Sequence, residues 1–364
     1  MSTRMRPLWS QRYTEWAAAR GGLHVAAASP VKSVIKLWHP ACSPEFPVTH
    51  PTKLAGGLVC ALFMAVLLDA TLVPSRARSY AIHYLHLSAG KTGLRLSNDR
   101  ARNLPHIIFW AWERPEDLRF LAPDRAGVAF LAKTIRFRSG TLNLPENSGV
   151  SFAVQSRHQP LEVSPDLPLM AVVRIEVFSG PPPQSYKPPV PPVFFTTTVP
   201  NALEDRLSSQ IAELQNLPGV AAIQIDFDAS TSEHAFYSAL LQNVRAKLPA
   251  SMPLSITALA SWCMGDRWLT RLPPGTIDEA VPMLFRMGPD SANVAAFLRS
   301  GNDFPVPACR GSLGLSTDES LSKEVLTGKL IGLPSDWREK RIYVFSPRAW
   351  SQPAAEKILE VWQP

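Results

Sequence analysis

The chain has few cysteines and little charge. Four cysteines in 364 residues are too few for the disulfide framework of a small secreted domain, and their spacing is not that of zinc ligands. In the parallel barrel that the strand pattern predicts, Cys263 and Cys309 fall at opposite ends of their strands, so we expect free buried thiols. Charged residues make up 18% and hydrophobic residues 46% of the chain. This balance favours a large folded core over disorder.

Positive charge is scarce in the part of the chain that we expect to fold. The net charge is +7, but residues 1–53 carry seven Lys/Arg against Glu15 and Glu45, which leaves only +2 for the rest. A domain that binds nucleic acid carries its basic residues on the folded surface. We therefore predict no nucleic-acid partner.

An apolar run, Leu54–Leu68, follows the basic tail, and extending it to Val73 gives a stretch of twenty residues. That length is enough for a membrane span, and the core of the run fits the apolar part of a signal peptide. Basic residues before the run place the N-terminus inside the cell. We predict a basic tail (1–53), a signal or membrane anchor (54–73) and a linker (74–103). The protein would be exported to the periplasm or cell surface, released or anchored to the inner membrane; a buried core helix is the alternative.

From Leu104 onward, short apolar strands alternate with helical stretches, which is typical of a parallel α/β sheet. Eight strands over about 250 residues predict a (β/α)8, TIM-like barrel across 104–364. The predicted strands are His106–Trp112, Gly127–Ala132, Met170–Phe178, Ala221–Asp228, Leu254–Leu259, Glu279–Phe285, Gly311–Leu315 and Arg341–Phe345.

Most of the segments between these strands show helical periodicity. Apolar residues at helical spacing predict helices over Leu203–Leu217, Ser232–Leu248 and Ala354–Trp362. Two stretches differ. Arg136–Asp166 alternates in polarity and contains turn residues, so we expect a β-rich insertion after the second strand. Pro181–Pro192 is too rich in proline for a helix or central strand and predicts an extended loop after the third strand.

The fourth strand carries the residues that we expect to do chemistry. Period-two alternation places Gln224, Asp226 and Asp228 on one face, which must point into the barrel because the apolar face packs on helices. Two carboxylates about 6–7 Å apart along a strand will not both ionise freely. One can hold a proton at neutral pH, and we assign Asp228 as the acid and Asp226 as its partner. Alternatively, the acids pair with Arg174 or Arg286, or cap the helix that begins near Ser230.

Aromatic and charged residues lie near other strand ends, where TIM-barrel sites are built. An indole ring can stack on the apolar face of a sugar; core filling is the better interpretation of any single tryptophan, but Trp112 and Trp262 together at strand ends favour sugar binding. The predicted substrate-binding residues are Trp112, Glu113, Arg174, Glu176, Gln224, Trp262 and Arg286.

Histidines are sparse in the barrel region, where only His106, His158 and His234 occur. Only His234 lies near a strand end, so we predict no zinc site and no cofactor. An Mg²⁺ or Ca²⁺ site built from oxygen ligands stays open.

Four sequence blocks carry a family resemblance. The blocks FWAWER, IQIDFDAS, LSITALASW and DEAVPMLFRMG resemble the bacterial family named domain of unknown function 3142 (DUF3142). The resemblance spans roughly Leu104 to Trp350 and implies a glycosidase-like (β/α)8 barrel.

The fourth strand is also distantly similar to chitinase-type glycosidases, whose strand ends in Asp-Gly-Ile-Asp-Ile-Asp-Trp-Glu. Against that pattern, Asp226 matches the orienting aspartate and Asp228 stands at the acid glutamate, while Ala221 and Gln224 replace earlier aspartates. The shorter Asp228 side chain would hold its carboxyl about one methylene further back, which puts catalysis of that type in doubt.

These features favour a glycoside hydrolase that acts on an extracellular or envelope polysaccharide or oligosaccharide. Two alternatives stay open: a non-catalytic carbohydrate-binding barrel at the cell surface, and a structural envelope protein.

Overall fold

The computed structural model describes residues 99–138, 140–178, 192–330 and 335–362. The predicted basic tail, the apolar segment and the linker up to residue 98 lie outside these residues, as does the proline-rich loop except Pro192. Asp99–Asn103 forms a 3-10 helix. It is tied to the barrel because the Arg100 Nε donates to Asp278 Oδ1 at 2.7 Å.

Eight parallel strands close a barrel, so the predicted TIM-like α/β fold is confirmed. They lie in the order β1, β12, β11, β10, β9, β8, β6 and β3, and β3 pairs with β1 to complete the ring. The described strands are β1 (Ile107–Ala111), β2 (Glu116–Asp117), β3 (Gly127–Arg138), β4 (Gly149–Ser156), β5 (Leu161–Glu162), β6 (Leu169–Phe178), β7 (Val193–Thr198), β8 (Val220–Asp226), β9 (Leu254–Leu259), β10 (Glu279–Met283), β11 (Ser312–Ser316) and β12 (Arg341–Phe345).

Helices follow the later barrel strands. Leu203, Leu207 and Ile211 of α1 are fully buried, as their spacing along one face requires. A capping box formed by Ser230 and Glu233 begins the segment that leads into α2. The described α-helices are α1 (Asn201–Ala212), α2 (His234–Lys247), α3 (Ala260–Gly265), α4 (Arg267–Thr270), α5 (Ser291–Arg299), α6 (Ser320–Leu326) and α7 (Gln352–Trp362).

Two barrel strands continue past the barrel and build a sheet extension at its C-terminal end. The pairing of β3 with β6 shifts between Leu131 and Lys133, a β-bulge, and then runs on to Arg138 and Phe178. Beyond the bulge, β4 pairs antiparallel with β3, and β7 pairs antiparallel with β4. We call the outer halves of β3 and β6, together with β4 and β7, the sheet extension.

The barrel interior is filled mainly by apolar side chains. Trp110 is one of the two tryptophans among them, and its ring packs close to Gly314 of β11. A Cβ atom at Gly314 would lie 3.2 Å from the Trp110 ring and 3.3 Å from the Pro282 carbonyl oxygen. Glycine at this position therefore lets the indole cross the lumen.

Cys263 and Cys309 form a disulfide, so the expectation of free thiols was wrong for this pair. Their Cα atoms are 5.8 Å apart. Cys263 lies in α3, Cys309 ends a 3-10 helix, and both segments pack on β10. The prediction considered only the strand nearest to each cysteine. It did not consider that α3 and the 3-10 helix both pack on β10, which brings the two cysteines together.

None of the helices described between residues 99 and 362 has the length and apolar character that a bilayer crossing demands. The apolar segment 54–73 is outside the residues to which this statement applies.

Removing the disulfide should destabilise the barrel. The bridge closes a loop across a sequence separation of 46 residues, so the double variant Cys263→Ala/Cys309→Ala should lose about 2–4 kcal/mol of unfolding free energy. Urea unfolding of the full chain, with and without reductant, measures this. Reductant should lower the unfolding free energy of the wild type toward that of the variant and leave the unfolding free energy of the variant unchanged. A wild-type unfolding curve that is insensitive to reductant would contradict the assignment.

Candidate functional site

A pocket of about 420 Å³, including its open mouth, lies at the C-terminal end of the barrel. Its walls come from the ends of β1, β8, β9, β10 and β12, which is the end of a TIM barrel that carries sites. Most of the wall is apolar. The lining residues are Trp110, Trp112, Asp226, Thr257, Met283, Phe285, Arg286 and Phe345.

Asp226 places a buried carboxyl group in this pocket. It is the last residue of β8 and only 3% exposed. The Thr257 hydroxyl donates to its Oδ1 at 2.8 Å, and the Arg174 Nε lies 4.0 Å from its Oδ2. Burial and, next, the charge of Asp228 raise its pKa from 3.8 to about 7, against the opposing effects of Arg174 and Thr257. Asp226 is therefore partly protonated at neutral pH.

Asp228 follows two residues later, just beyond β8, and is exposed. Its charge acts on Asp226 and on Arg174, so the structure brings the two predicted acids into one electrostatic group. The environments differ, however. Asp226, which we had assigned as the orienting partner, is the buried member and the one whose pKa is raised to about 7.

Arg174 contacts three of the other predicted binding residues at the rim. Its Nη2 lies 3.0 Å from Glu176 Oε1, and its Nη1 lies 3.4 Å from Glu113 Oε1. The guanidinium also sits over the Trp112 ring, 5.8 Å from its centroid. One part of the alternative prediction, that the strand acids pair with an arginine, is seen for Asp226. The Arg174 Nε lies 4.0 Å from Asp226 Oδ2.

Gln224 lies in the lumen below the pocket. It is fully buried, accepts from Trp110 Nε1 at 2.9 Å and donates to Ser255 Oγ at 3.1 Å. These bonds use both ends of its amide, so Gln224 fixes the Trp110 indole that forms the pocket floor.

The two remaining predicted residues lie in different places. Trp262 packs edge-on against Trp268, with ring centroids 5.0 Å apart, in the core between barrel and helices. Arg286 does line the pocket, with a left-handed backbone (φ 56°) of the strained kind often found at functional sites. Its guanidinium pairs with Asp318 at 3.0 Å and Glu319 at 3.6 Å.

Sequence reasoning missed several pocket residues. The sequence does contain a pattern that could have identified Thr257. Ser255 and Thr257 alternate with apolar residues on β9, as Gln224 and Asp226 do on β8. The register pairs Gln224 with Ser255, so the two polar faces are adjacent. Met283 of β10 also lines the pocket. Phe285 and Phe345 also line the pocket, and their rings stack with centroids 5.8 Å apart. The alternation of residues within one strand cannot predict this contact, because the two residues come from different strands.

Tyr237 of α2 is a second residue that the sequence did not single out. It is fully buried, and its hydroxyl has no hydrogen-bond partner among the residues that the structure describes. Burial, followed by the charges of Asp226 and Asp228, raises its pKa well above 10. Tyr237 therefore stays a neutral hydroxyl near the acid pair.

The described residues contain no group of three or more His, Cys, Asp or Glu side chains that could hold a metal ion. His234, the histidine nearest a strand end, stacks on Trp268 at 4.8 Å between ring centroids.

One family model matches the chain, that of Domain of unknown function (DUF3142), over residues 196–281. The predicted resemblance to this family is confirmed over these residues. The DUF3142 match covers less than half of the chain, but it includes Asp226, Asp228 and Thr257 and therefore the acid end of the pocket. The chain matches no curated protein.

The stability of this protein should depend on pH through Asp226. A carboxyl whose pKa rises on folding makes its full contribution to the free energy of unfolding at pH values below its pKa in the unfolded chain, near 4. That contribution is lost as the pH rises through the folded pKa of about 7. Asp226→Asn cannot ionise. The variant should therefore gain stability relative to wild type between pH 4 and 7, on the order of 1 kcal/mol per pH unit. Chemical unfolding at several pH values measures the difference.

Asp228→Asn is the matched control for this titration. It removes the neighbouring charge, lowers the pKa of Asp226 and should move the pH-dependent window to lower pH. A stability difference between Asp226→Asn and wild type that stays constant from pH 4 to 8 would contradict the raised pKa.

Proposed function

We propose that this protein is a glycoside hydrolase that cleaves an extracellular or envelope polysaccharide, with Asp226 and Asp228 as its acid pair. One observation carries the proposal: a buried carboxyl, with its pKa raised to about 7, faces an open pocket with aromatic walls. A carboxyl that keeps a proton near neutral pH is what protonation of a leaving group requires.

The acid pair would supply the proton in the bond-breaking step. As the glycosidic C–O bond breaks, the proton passes from the pair to the leaving oxygen, and positive charge grows on the sugar ring. The ionised carboxylate that remains offsets this charge, and a water then adds hydroxide to the sugar and returns a proton to the pair. Thr257 at 2.8 Å orients the Asp226 carboxyl throughout.

The pocket walls suit a sugar ring. Trp112, Phe285 and Phe345 offer flat apolar surfaces for the C–H faces of the ring, whereas Arg286 and Glu113 lie where hydroxyl groups would be bound. We propose that the stretch Arg136–Asp166 is a β-rich insertion after the second barrel strand and that the proline-rich segment Pro181–Pro192, nearly all of which lies outside the described residues, follows the third strand in the sequence.

We also propose that the protein works outside the cytoplasm. The Cys263–Cys309 disulfide supports this location, because disulfides persist in oxidising compartments such as the periplasm. The apolar run Leu54–Leu68 after a basic tail is the second support.

A non-catalytic carbohydrate-binding barrel is the second candidate, and one observation favours it. Asp226 is the only acid among the eight described residues that line the pocket. A wall with a single carboxyl, opposite aromatic rings, is sufficient for binding without bond cleavage.

The decisive experiment compares turnover and binding. We expect wild-type protein to release reducing ends from at least one member of a panel of β-glucans, xylan, chitin and peptidoglycan. Asp226→Asn and Asp228→Asn should each reduce turnover by about 10²- to 10⁴-fold. Asp205→Asn is the control, because it removes a surface carboxylate that pairs with Lys247 at 2.7 Å, away from the pocket.

The outcomes separate the two candidates. Equal turnover by wild type and Asp226→Asn would remove the carboxyl from the mechanism. Binding of a panel member without product release, unchanged in Asp226→Asn, would favour the carbohydrate-binding barrel.

A further inference from the structure

A row of buried polar side chains crosses the barrel lumen below the pocket. Gln224 of β8, Ser255 of β9 and Glu279 of β10 lie side by side, because the register pairs Ser255 with both of its neighbours. All three residues are at most 4% exposed. Tyr343 reaches this row from β12, which β11 separates from β10, and it is fully buried.

Hydrogen bonds connect this row to the tryptophan of the pocket floor. The Trp110 Nε1 donates to Gln224 Oε1 at 2.9 Å, and the Gln224 Nε2 donates to Ser255 Oγ at 3.1 Å. Ser255 is also hydrogen-bonded to the Tyr343 hydroxyl, which donates to Glu279 Oε1. We call these five residues, Trp110, Gln224, Ser255, Tyr343 and Glu279, the lumen network.

Every donor in the lumen network points toward Glu279. An indole N–H can only donate, so Gln224 must present its carbonyl oxygen to Trp110 and its amide nitrogen to Ser255. Ser255 donates its own proton to Tyr343, because the Tyr343 proton is used on Glu279. A carboxylate can only accept, so the two ends of the network fix the direction of every bond between them.

Arg341 holds the accepting end of the lumen network in place. Its Nη1 lies 2.7 Å from Glu279 Oε2. The same guanidinium donates to the Pro105 carbonyl at 3.0 Å and to the Ala101 carbonyl at 2.6 Å. Burial and the charge of Glu279 raise the pKa of Tyr343 well above 10, so its hydroxyl keeps the proton that it donates.

Tyr343 also packs on the indole that the network holds. The ring centroids of Trp110 and Tyr343 are 5.4 Å apart, with 33° between their planes. Phe285 contacts the same indole edge-on, at 6.1 Å between centroids. Tyr343 therefore supports Trp110 in two ways, through its ring and through the bonds of its hydroxyl.

The lumen network decides which part of the indole faces the pocket. Trp110 uses its N–H on Gln224 below, so it presents carbon atoms to a ligand above. If the network were interrupted, this N–H would be held less firmly, and a buried donor without a partner is unfavourable. The ring would then turn toward the pocket, where water or a ligand hydroxyl can accept the bond.

We propose that Tyr343 is a positioning residue of the candidate site, and that with Glu279 it holds the Trp110 indole as an apolar stacking surface for the sugar. Tyr343 is not among the described residues that line the pocket, so it acts through Trp110. The proposal deepens the proposed function, on which its kinetic part rests. The orientation of the indole does not depend on any activity.

The test interrupts the lumen network at two places in the full-length protein. Tyr343→Phe removes the hydroxyl and keeps the ring, whereas Ser255→Ala removes the preceding link, and both leave the Glu279–Arg341 pair in place. Nitrogen-15 NMR of tryptophan-labelled protein, with Trp110→Phe to assign the resonance, follows hydrogen exchange at the Trp110 indole. Exchange should become about three- to tenfold faster in each variant.

Steady-state kinetics on any polysaccharide that the wild type cleaves gives the second measurement. KM should rise by about three- to tenfold in each variant while kcat stays within about twofold, because the indole supports substrate and transition state alike. The double variant should match the single variants, since one missing link already interrupts the network.

Ser312→Ala is the matched control. Ser312 of β11 is fully buried, and its hydroxyl has no hydrogen-bond partner among the residues that the structure describes. Its substitution removes a buried serine hydroxyl outside the lumen network. Indole exchange, KM and kcat should therefore stay at the wild-type values.

Two results would overturn the positioning role. Indole exchange and KM in Tyr343→Phe and Ser255→Ala that equal those of Ser312→Ala would remove it while the proposed function stands. A fall in kcat with an unchanged KM would place the network in the chemical step instead of the binding surface. Absence of turnover on every polysaccharide would reject the proposed function, whereas the exchange rates would still decide whether Tyr343 holds the indole.

Discussion

The carboxyl of Asp226 is buried at the point where the barrel lumen opens into the pocket. The chemistry of the site depends on this burial. In water the group would be fully ionised at neutral pH. Within the described part of the chain, its Oδ1 accepts one hydrogen bond, from the Thr257 hydroxyl at 2.8 Å, and the Arg174 Nε lies 4.0 Å from its Oδ2. These contacts offset only part of the cost of burial, so the pKa rises to about 7.

The rest of the barrel interior keeps Asp226 in that environment. Below it, Gln224 joins Trp110 to Ser255, and Trp110 fits across the lumen because Gly314 has no side chain. Deeper still, Arg341 binds Glu279 at 2.7 Å. These polar groups bind one another in the lumen beneath the pocket, so they hold the pocket floor in place.

Strand periodicity was sufficient to predict the barrel and the inward face of β8. The fourth strand has two polar residues in strict alternation with isoleucine, and a parallel strand covered by helices must turn its polar side inward. Periodicity could not predict which acid is buried. Asp226 ends the strand and Asp228 follows it, so their exposure depends on the path of the chain after the strand.

Other features of the site depend on contacts between elements that are distant in sequence. The disulfide forms because α3 and a 3-10 helix meet on β10, and Trp262 enters the outer core because α3 and α4 bring it to Trp268. The inward turn of Thr134 and Arg136 depends on one bulge in β3. A bulge adds a residue without any change in composition, so the alternation of apolar residues does not reveal it.

The most direct measurement is the titration of the Asp226 carboxyl itself. Carbon-13 NMR of protein labelled at aspartate side chains, with Asp226→Asn to assign the resonance, follows its ionisation between pH 3 and 9. A midpoint near pH 7 is expected, with a shift to lower pH in Asp228→Asn. A midpoint below about pH 5, the range of an ordinary solvated aspartate, would contradict a buried acid at the mouth of the barrel.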